Sequence, residues 1–375
     1  VFASYAQTYK VSYLTADDGL SRNLVHCIFR DSKGFMWFGT SKGLDRYDGY
    51  DFIHYSSSQQ NNYLPSDMVN SISEDLQGNY WIGTENGLFF FFYFSGEILP
   101  AWEKLNIKKE YLKHNIQFIT KDEKGQLWFG HENGLSLLLF DGNDIALQEI
   151  YKSSDVTALL VFNGNVYVGE RNHVFRIVKD NRQMYNRVQS ENKLNDLNGA
   201  INTLFYDNSF IWIGTANGLY RYDPAAESVQ YFQNEPGNSF SLSSNVITDI
   251  KRTKDGPLLI GTLIGLNIYD YQSNAFRRIT SERTGSSEVL NNNFISCIYV
   301  DDNMFWIGTE KGGVNKFTPD HKFFEHIVHQ PSDPYSLSRN PVNAIYEDTD
   351  GDLFVGTVEG GLNIRKKGQT GFKHY

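Results

Sequence analysis

The chain has 375 residues, 40% of them apolar and 15% aromatic, which is ample material for a packed interior and argues against disorder. Its 34 Lys and Arg against 44 Asp and Glu leave a formal charge of −10, so it has no general attraction to phosphate backbones and no nucleic acid is expected as a partner. The longest apolar run, Leu88 to Phe94, falls far short of the ~20 residues of a membrane span and reads as a buried strand, so no direct membrane insertion is expected.

In chain order, Val1 to Gln7 look like the tail of a secretory signal, with small Ser4 and Ala6 two apart; residues 1–8 are taken as a residual N-terminal tail, and export is expected. Tyr9 to Leu14 has the pattern of an outer β-strand. From there a repeat begins. Met36-Trp37-Phe38-Gly39-Thr40 recurs around Trp81, Trp128, Tyr167, Trp212, Leu259, Trp306 and Phe354, with the glycines spaced by 44, 47, 39, 45, 47, 47 and 48 residues. Upstream of each hit lies an apolar stretch such as Val25 to Ile28, then a turn such as Asp31 to Gly34. Downstream come a Gly-Leu turn and strand, as in Gly43-Leu44, and a last strand such as Phe52 to Tyr55.

Four short strands per ~45 residues, separated by Gly, Asp and Asn turns, mark the blade of a β-propeller. Trp37, Trp81, Trp128, Trp212 and Trp306 are predicted to fill the space between blades, and the glycine two residues on removes a side chain where a neighbour must approach. Trp102 stands outside this column and reads as filler in blade 2. The fourth unit departs from the pattern, with Gly169-Glu170 for Gly-Thr.

These residues resemble the two-component regulator propeller repeats of bacterial hybrid sensors. The motifs that carry the resemblance are Leu14 to Ser21, Asp31 to Thr40, Gly43 to Gly49 and the later Ser-Leu-Ser linkers at 241–243 and 336–338. It implies a periplasmic, extracytoplasmic sensor region of an inner-membrane protein, responding to oligosaccharides through a histidine kinase outside this chain and working as a homodimer. It also implies propellers of seven blades. Residues 9–319 are therefore expected to form a seven-bladed ring, closed by Tyr9 to Leu14 pairing around Phe294 to Phe317. Residues 320–375 would begin a second propeller; one eight-bladed ring is the alternative.

No nucleophile elbow, Walker loop, zinc pair or dinucleotide fingerprint is present, so neither an enzyme nor a cofactor is expected. The closely spaced His326 and His329 are placed on an outer strand, where alternation sends them to opposite faces and so away from a shared metal. Cys27 and Cys297 occupy the same repeat position and read as two buried free thiols. Ligand binding is expected on the rim carrying the linkers and the turns after each Gly-Thr, at Arg22, Lys42, Glu85, His131, Arg171, Glu310, Lys311 and Arg339. A secreted lyase or glycosidase, or a protein-interaction scaffold, is the alternative function.

Overall fold

The computed structural model describes residues 8–142, 144–153, 156–179, 185–188, 192–254, 256–282, 288–319, 327–369 and 371–375. The expected signal remnant, residues 1–7, and His326 lie outside them. The chain divides into two compact units, 1–319 and 320–375.

The first unit holds seven four-stranded antiparallel sheets. Blade 1 consists of Val25–Arg30, Met36–Thr40, Gly43–Tyr47 and Phe52–Tyr55. Blades 2 to 6 repeat this order with inner strands Val69–Glu74, Ile116–Lys121, Val156–Phe162, Ile201–Asp207 and Ile247–Arg252. Blade 7 is built from both ends of the unit. Ile295–Asp301, Met304–Thr309 and Val314–Pro319 take Tyr9–Leu14 as their fourth strand, in a register running from Tyr9 opposite Pro319 to Leu14 opposite Val314.

Inner strands neighbour one another in cyclic order, that of blade 7 lying beside that of blade 1. Each seam has its own apolar cluster. Trp37 packs with Tyr80, Ile82 and Phe91 of blade 2, Trp81 with Phe129 and Phe140 of blade 3, and Trp128 with Val168 and Phe175 of blade 4. Tyr167, Trp212 and Leu259 repeat this at the next three seams, and Trp306 packs on Met36 and Phe38 of blade 1. The glycine after each ring makes the approach possible. A Cβ at Gly83 would lie 2.7 Å from Ile116 Cγ2, and one at Gly214 would lie 2.6 Å from Ile247 Cγ2.

Two polar devices add to the apolar packing. The second residue of an inner strand donates to the first carbonyl of the next blade: Asn70 to Ile116 (2.9 Å), Thr157 to Ile201 (2.5 Å), Asn202 to Ile247 (2.8 Å), and Ser296 to Val25 across the closure. Replacing Asn202 with Ala should cost about 1–2 kcal/mol, because the Ile247 carbonyl would lose its donor in a partly buried place; urea unfolding measures this. The second device lies in the six-residue hairpins. Asp31 accepts the backbone N–H of Lys33 and Phe35 on one oxygen, and the Trp37 indole (2.8 Å) and Tyr80 hydroxyl (2.8 Å) on the other. Asp75 and Asp122 do the same for their own turns and for Trp81 and Trp128.

Three local expectations need correction. The apolar run does not stay buried to its end: the strand stops at Phe91, and Phe94 is 93% exposed in the hairpin that follows. Ile327 to His329 are not in a strand, because the fourth place in blade 7 is taken by Tyr9–Leu14; His329 Nδ1 lies 2.6 Å from the Leu337 carbonyl instead. The stretches upstream of each hit, expected to be apolar, are not so throughout, since the second residues of inner strands, such as Asn70, Thr157, Asn202 and Ser296, supply the hydrogen bonds between blades.

Trp102, on the short helix Ala101–Lys104, is half-buried against the cluster between blades 2 and 3. Cys27 and Cys297 are free thiols on neighbouring inner strands, and burial pushes Cys27 up to about 12 and Cys297 upward as well.

Residues 320–375 form one sheet of Val342–Glu347, Leu353–Thr357, Gly361–Arg365 and Lys373–His374 around a small core of Leu337, Val355 and Phe372. Val342, Ile345 and Tyr346 are exposed, whereas Val25 and Ile28 at the matching places of blade 1 are buried.

Candidate functional site

In every blade one rim is made by the linker entering the inner strand and the turn after the second strand. Hydrogen bonds tie the two together: Ser41 N to Leu24 O, Glu85 N to Met68 O, Glu132 N to Asn115 O, Ala216 N to Ala200 O and Glu310 N to Phe294 O. The threonine ending the second strand caps this turn. Thr40 Oγ1 accepts Lys42 N (3.0 Å) and donates to Gly43 O (3.0 Å), and Thr84, Thr215 and Thr262 repeat the pattern.

Beneath the turn lies a buried polar knot. Ser21 donates its N–H (2.8 Å) and hydroxyl (2.7 Å) to Asp45, which is fully buried and also meets His54 Nδ1 at 2.7 Å. Ser243 with Asn267, Asn291 with Asn315, and Ser338 with Asn363 are the same knot elsewhere. Ser21, Asp45 and His54 are not a nucleophilic triad, because serine and histidine both bond to the aspartate rather than to one another.

Where blade 7 meets blade 1, the rim opens into a groove of about 420 Å³ lined by Ala16, Ser21, Arg22, Asn23, Leu24, Ser41, Glu310 and Lys311. Asn23 holds its wall, its side chain accepting Ala16 N (2.8 Å) and its carbonyl accepting Gly313 N (3.0 Å). Three of the predicted ligand residues, Arg22, Glu310 and Lys311, are thus brought together, with exposed Lys42 next to Ser41. Glu85 is exposed on the corresponding turn of blade 2, and Arg339 belongs to the separate unit, paired with Glu359 at 3.3 Å.

His131 and Arg171 sit on the rim of blades 3 and 4, where the capping threonine is replaced. His131 is 5% exposed; its Nδ1 accepts Asn133 N (3.2 Å), which places the proton on Nε2, 3.0 Å from Ser136 Oγ. Burial first, and then neighbouring His114, lowers its pKa to about 4, against smaller raising effects from Glu149 and Glu132. The unfolded chain takes up this proton near pH 6.5. Stability is therefore complete above 6.5 and should fall by about 3 kcal/mol as pH drops toward 4. His131→Thr, which restores the usual cap, should flatten this loss in unfolding curves taken across that range.

In blade 4 Glu170 takes the threonine's place. It accepts hydrogen bonds from Ser153 and Tyr151 (3.1 Å) and faces His173 Nε2 at 3.3 Å. Arg171 follows in the left-handed region, φ 49°, and is exposed. In the sequence Glu170 shows only as a departure from the repeat; the cluster around it joins residues from two blades and has no signature along the chain.

Three segments of the chain, residues 19–42, 63–86 and 336–359, match the family described as two component regulator propeller. Histidine kinase P4 of Formosa agariphila is 26% identical over 163 residues, 42% of this chain and 11% of that protein. Among solved structures, the extracellular domain of a putative hybrid two component system from B. thetaiotaomicron matches 98% of this chain and 49% of its own, with TM-score 0.66 and 24% identity. Another B. thetaiotaomicron extracellular domain, of a putative one component system, gives TM-score 0.63 at 21% identity over 98% of this chain and 54% of its own. Virginiamycin B lyase from Staphylococcus aureus gives 0.57 at 14% identity over 83% of this chain and 99% of its own. The chain spans about half the length of these two B. thetaiotaomicron structures, and at such identities the likeness speaks for the fold. The chain carries two-component regulator propeller repeats.

Proposed function

We propose, from a chain that carries two-component regulator propeller repeats, that it is the extracytoplasmic ligand-sensing propeller of a hybrid two-component signalling protein. Its ligand would be an oligosaccharide, and its output the control of glycan-utilisation genes through a histidine kinase outside these 375 residues. The setting is the periplasm, and the full-length sensor works as a homodimer. Residues 320–375 are the first blade of a second propeller, a reading supported by the exposure of Val342 and Ile345, whose counterparts are buried between blades.

The observation that carries the ligand reading is the groove between blades 7 and 1. Elsewhere on the rim the polar groups mostly bond to one another; here Arg22, Glu310 and Lys311 line open space on a rigid scaffold. Binding can drive a kinase only if the ligand prefers one of two arrangements of the receptor. Isothermal calorimetry of the 375-residue chain against an oligosaccharide panel, with reducing-end assays in parallel, tests the reading. Saturable heat without product is expected, and turnover of any panel member would overturn it.

A propeller enzyme is the second reading, favoured by the Glu170–His173–Tyr151 cluster. Against it, Glu170 is 7% exposed and already bonded to Tyr151 and Ser153. A general base needs an oxygen within reach of substrate.

A further inference from the structure

We infer that the groove between blades 7 and 1 takes an anionic saccharide, one carrying a carboxylate or a sulfate; this rests on the sensor reading above and sharpens it. Two equivalent places in the chain differ in the way that matters. Arg22 follows Ser21 as Arg339 follows Ser338, and the two serines bond alike. Each donates its N–H to the buried Asp or Asn of its knot and shares a hydroxyl contact with the capping threonine. The two arginines therefore spring from equivalent backbone.

In the unit 320–375 the turn after the threonine supplies Glu359, and Arg339 is paired. In blade 1 the equivalent turn, Ser41-Lys42, supplies a cation. Among the described residues Arg22, Lys42 and Lys311 have no carboxylate within ion-pair distance, whereas Arg30, Lys33, Lys251 and Arg252 each have one. Two unpaired cations, Arg22 and Lys311, thus line the groove with the single acid Glu310, and a third, Lys42, follows its wall residue Ser41, in a chain whose formal charge is −10.

The lining decides between neutral and acidic sugars. Neutral sugars are held largely by stacking on aromatic faces, and none of the eight lining residues is aromatic. Selection must come from charge and hydrogen bonds instead. The planar fork of Arg22 suits a carboxylate or sulfate in two-point contact, Lys311 and Lys42 add point charges, and Glu310 accepts sugar hydroxyls. The groove's volume lies within the roughly 300–1,000 Å³ of small-molecule sites.

The test is calorimetry of the whole 375-residue chain with tri-galacturonic acid, a 6-sulfated galactose disaccharide and neutral maltotriose. At least one acidic probe should bind, with affinity falling as NaCl is raised from about 0.05 to 0.3 M, and maltotriose should bind at least about tenfold more weakly. Lys42→Glu, which gives Arg22 the partner that Arg339 already has, should cost about tenfold or more in acidic-probe affinity, while Lys42→Arg retains it. Unchanged melting shows that both variants are folded. The two acidic probes separate carboxylate from sulfate. Maltotriose binding as tightly as the acids, or indifference to Lys42→Glu, would overturn the anionic inference and leave the sensor reading standing. Silence from all three probes would overturn both.

Discussion

Asp31→Ala should destabilise the ring by about 4 kcal/mol or more, the largest loss expected from a single carboxylate in the chain. One buried side chain here serves four donors: two backbone N–H groups shape the hairpin, the Trp37 indole fixes the ring between blades, and the Tyr80 hydroxyl reaches across from blade 2. Alanine leaves the last two with nothing to bond in a seam closed to water. Burial, and then the bond to Asp31, holds the Tyr80 phenol in its protonated, donating form. Asp75→Ala should cost less, since among the described residues its carboxylate serves its own turn and tryptophan without a cross-seam phenol. Tyr80→Phe isolates that bond at about 1–2 kcal/mol. Tryptophan fluorescence in a urea titration reads the ring alone, because residues 320–375 contain no tryptophan. Equal losses for Asp31→Ala and Asp75→Ala would refute the cross-seam role.

The second large effect concerns closure. Removing Tyr9–Leu14 should abolish the ring's cooperative unfolding, because blade 7 then loses its fourth strand. Within that strand Tyr9 is 1% exposed, its ring 4.9 Å from Phe305, which itself stacks on Phe317 at 4.6 Å. Tyr9→Ala should cost about 3–5 kcal/mol, as for other large aromatic truncations. Tyr9→Phe should do the reverse. The Tyr9 hydroxyl is buried with no hydrogen-bond partner among the described residues, and burial, with Glu288 nearby, raises its pKa to about 12. Deleting that oxygen should leave stability unchanged or improve it by about 1 kcal/mol. A Tyr9→Phe variant markedly less stable than the parent would show that the hydroxyl has a partner.

What can be read from the sequence depends on period and on reach. The tryptophan column was legible because each ring recurs at one place in a strand of fixed phase, and Gly39 or Gly83 beside it has a single physical use. The turns beginning at Asp31, Asp75 and Asp122 were legible as turns, yet their second role, holding the indole six residues on, depends on a side chain folding back over its own hairpin. The bonds from Asn70, Asn202 and Ser296 were missed although the signal was present: a polar residue stands second in each of those inner strands. Apolar flanks at Val69, Ile201 and Ile295 masked it. The expected outer strand is absent at Ile327 to His329 for a non-local reason, since a segment some 300 residues upstream, Tyr9–Leu14, fills the fourth place in that sheet. The same holds for the groove. Arg22 and Lys311 are 289 positions apart in sequence, and only closure puts them on one wall.

Hydrogen–deuterium exchange of the 375-residue chain, with and without saturating acidic trisaccharide, probes the seam between blades 7 and 1 directly. If the groove is the sensing site, peptides covering 20–24, 40–43 and 309–313 gain protection, and the opposite-rim hairpins near Asp31 and Asp75 gain none. Protection confined to those hairpins, or cleaved sugar accumulating during the incubation, would refute it.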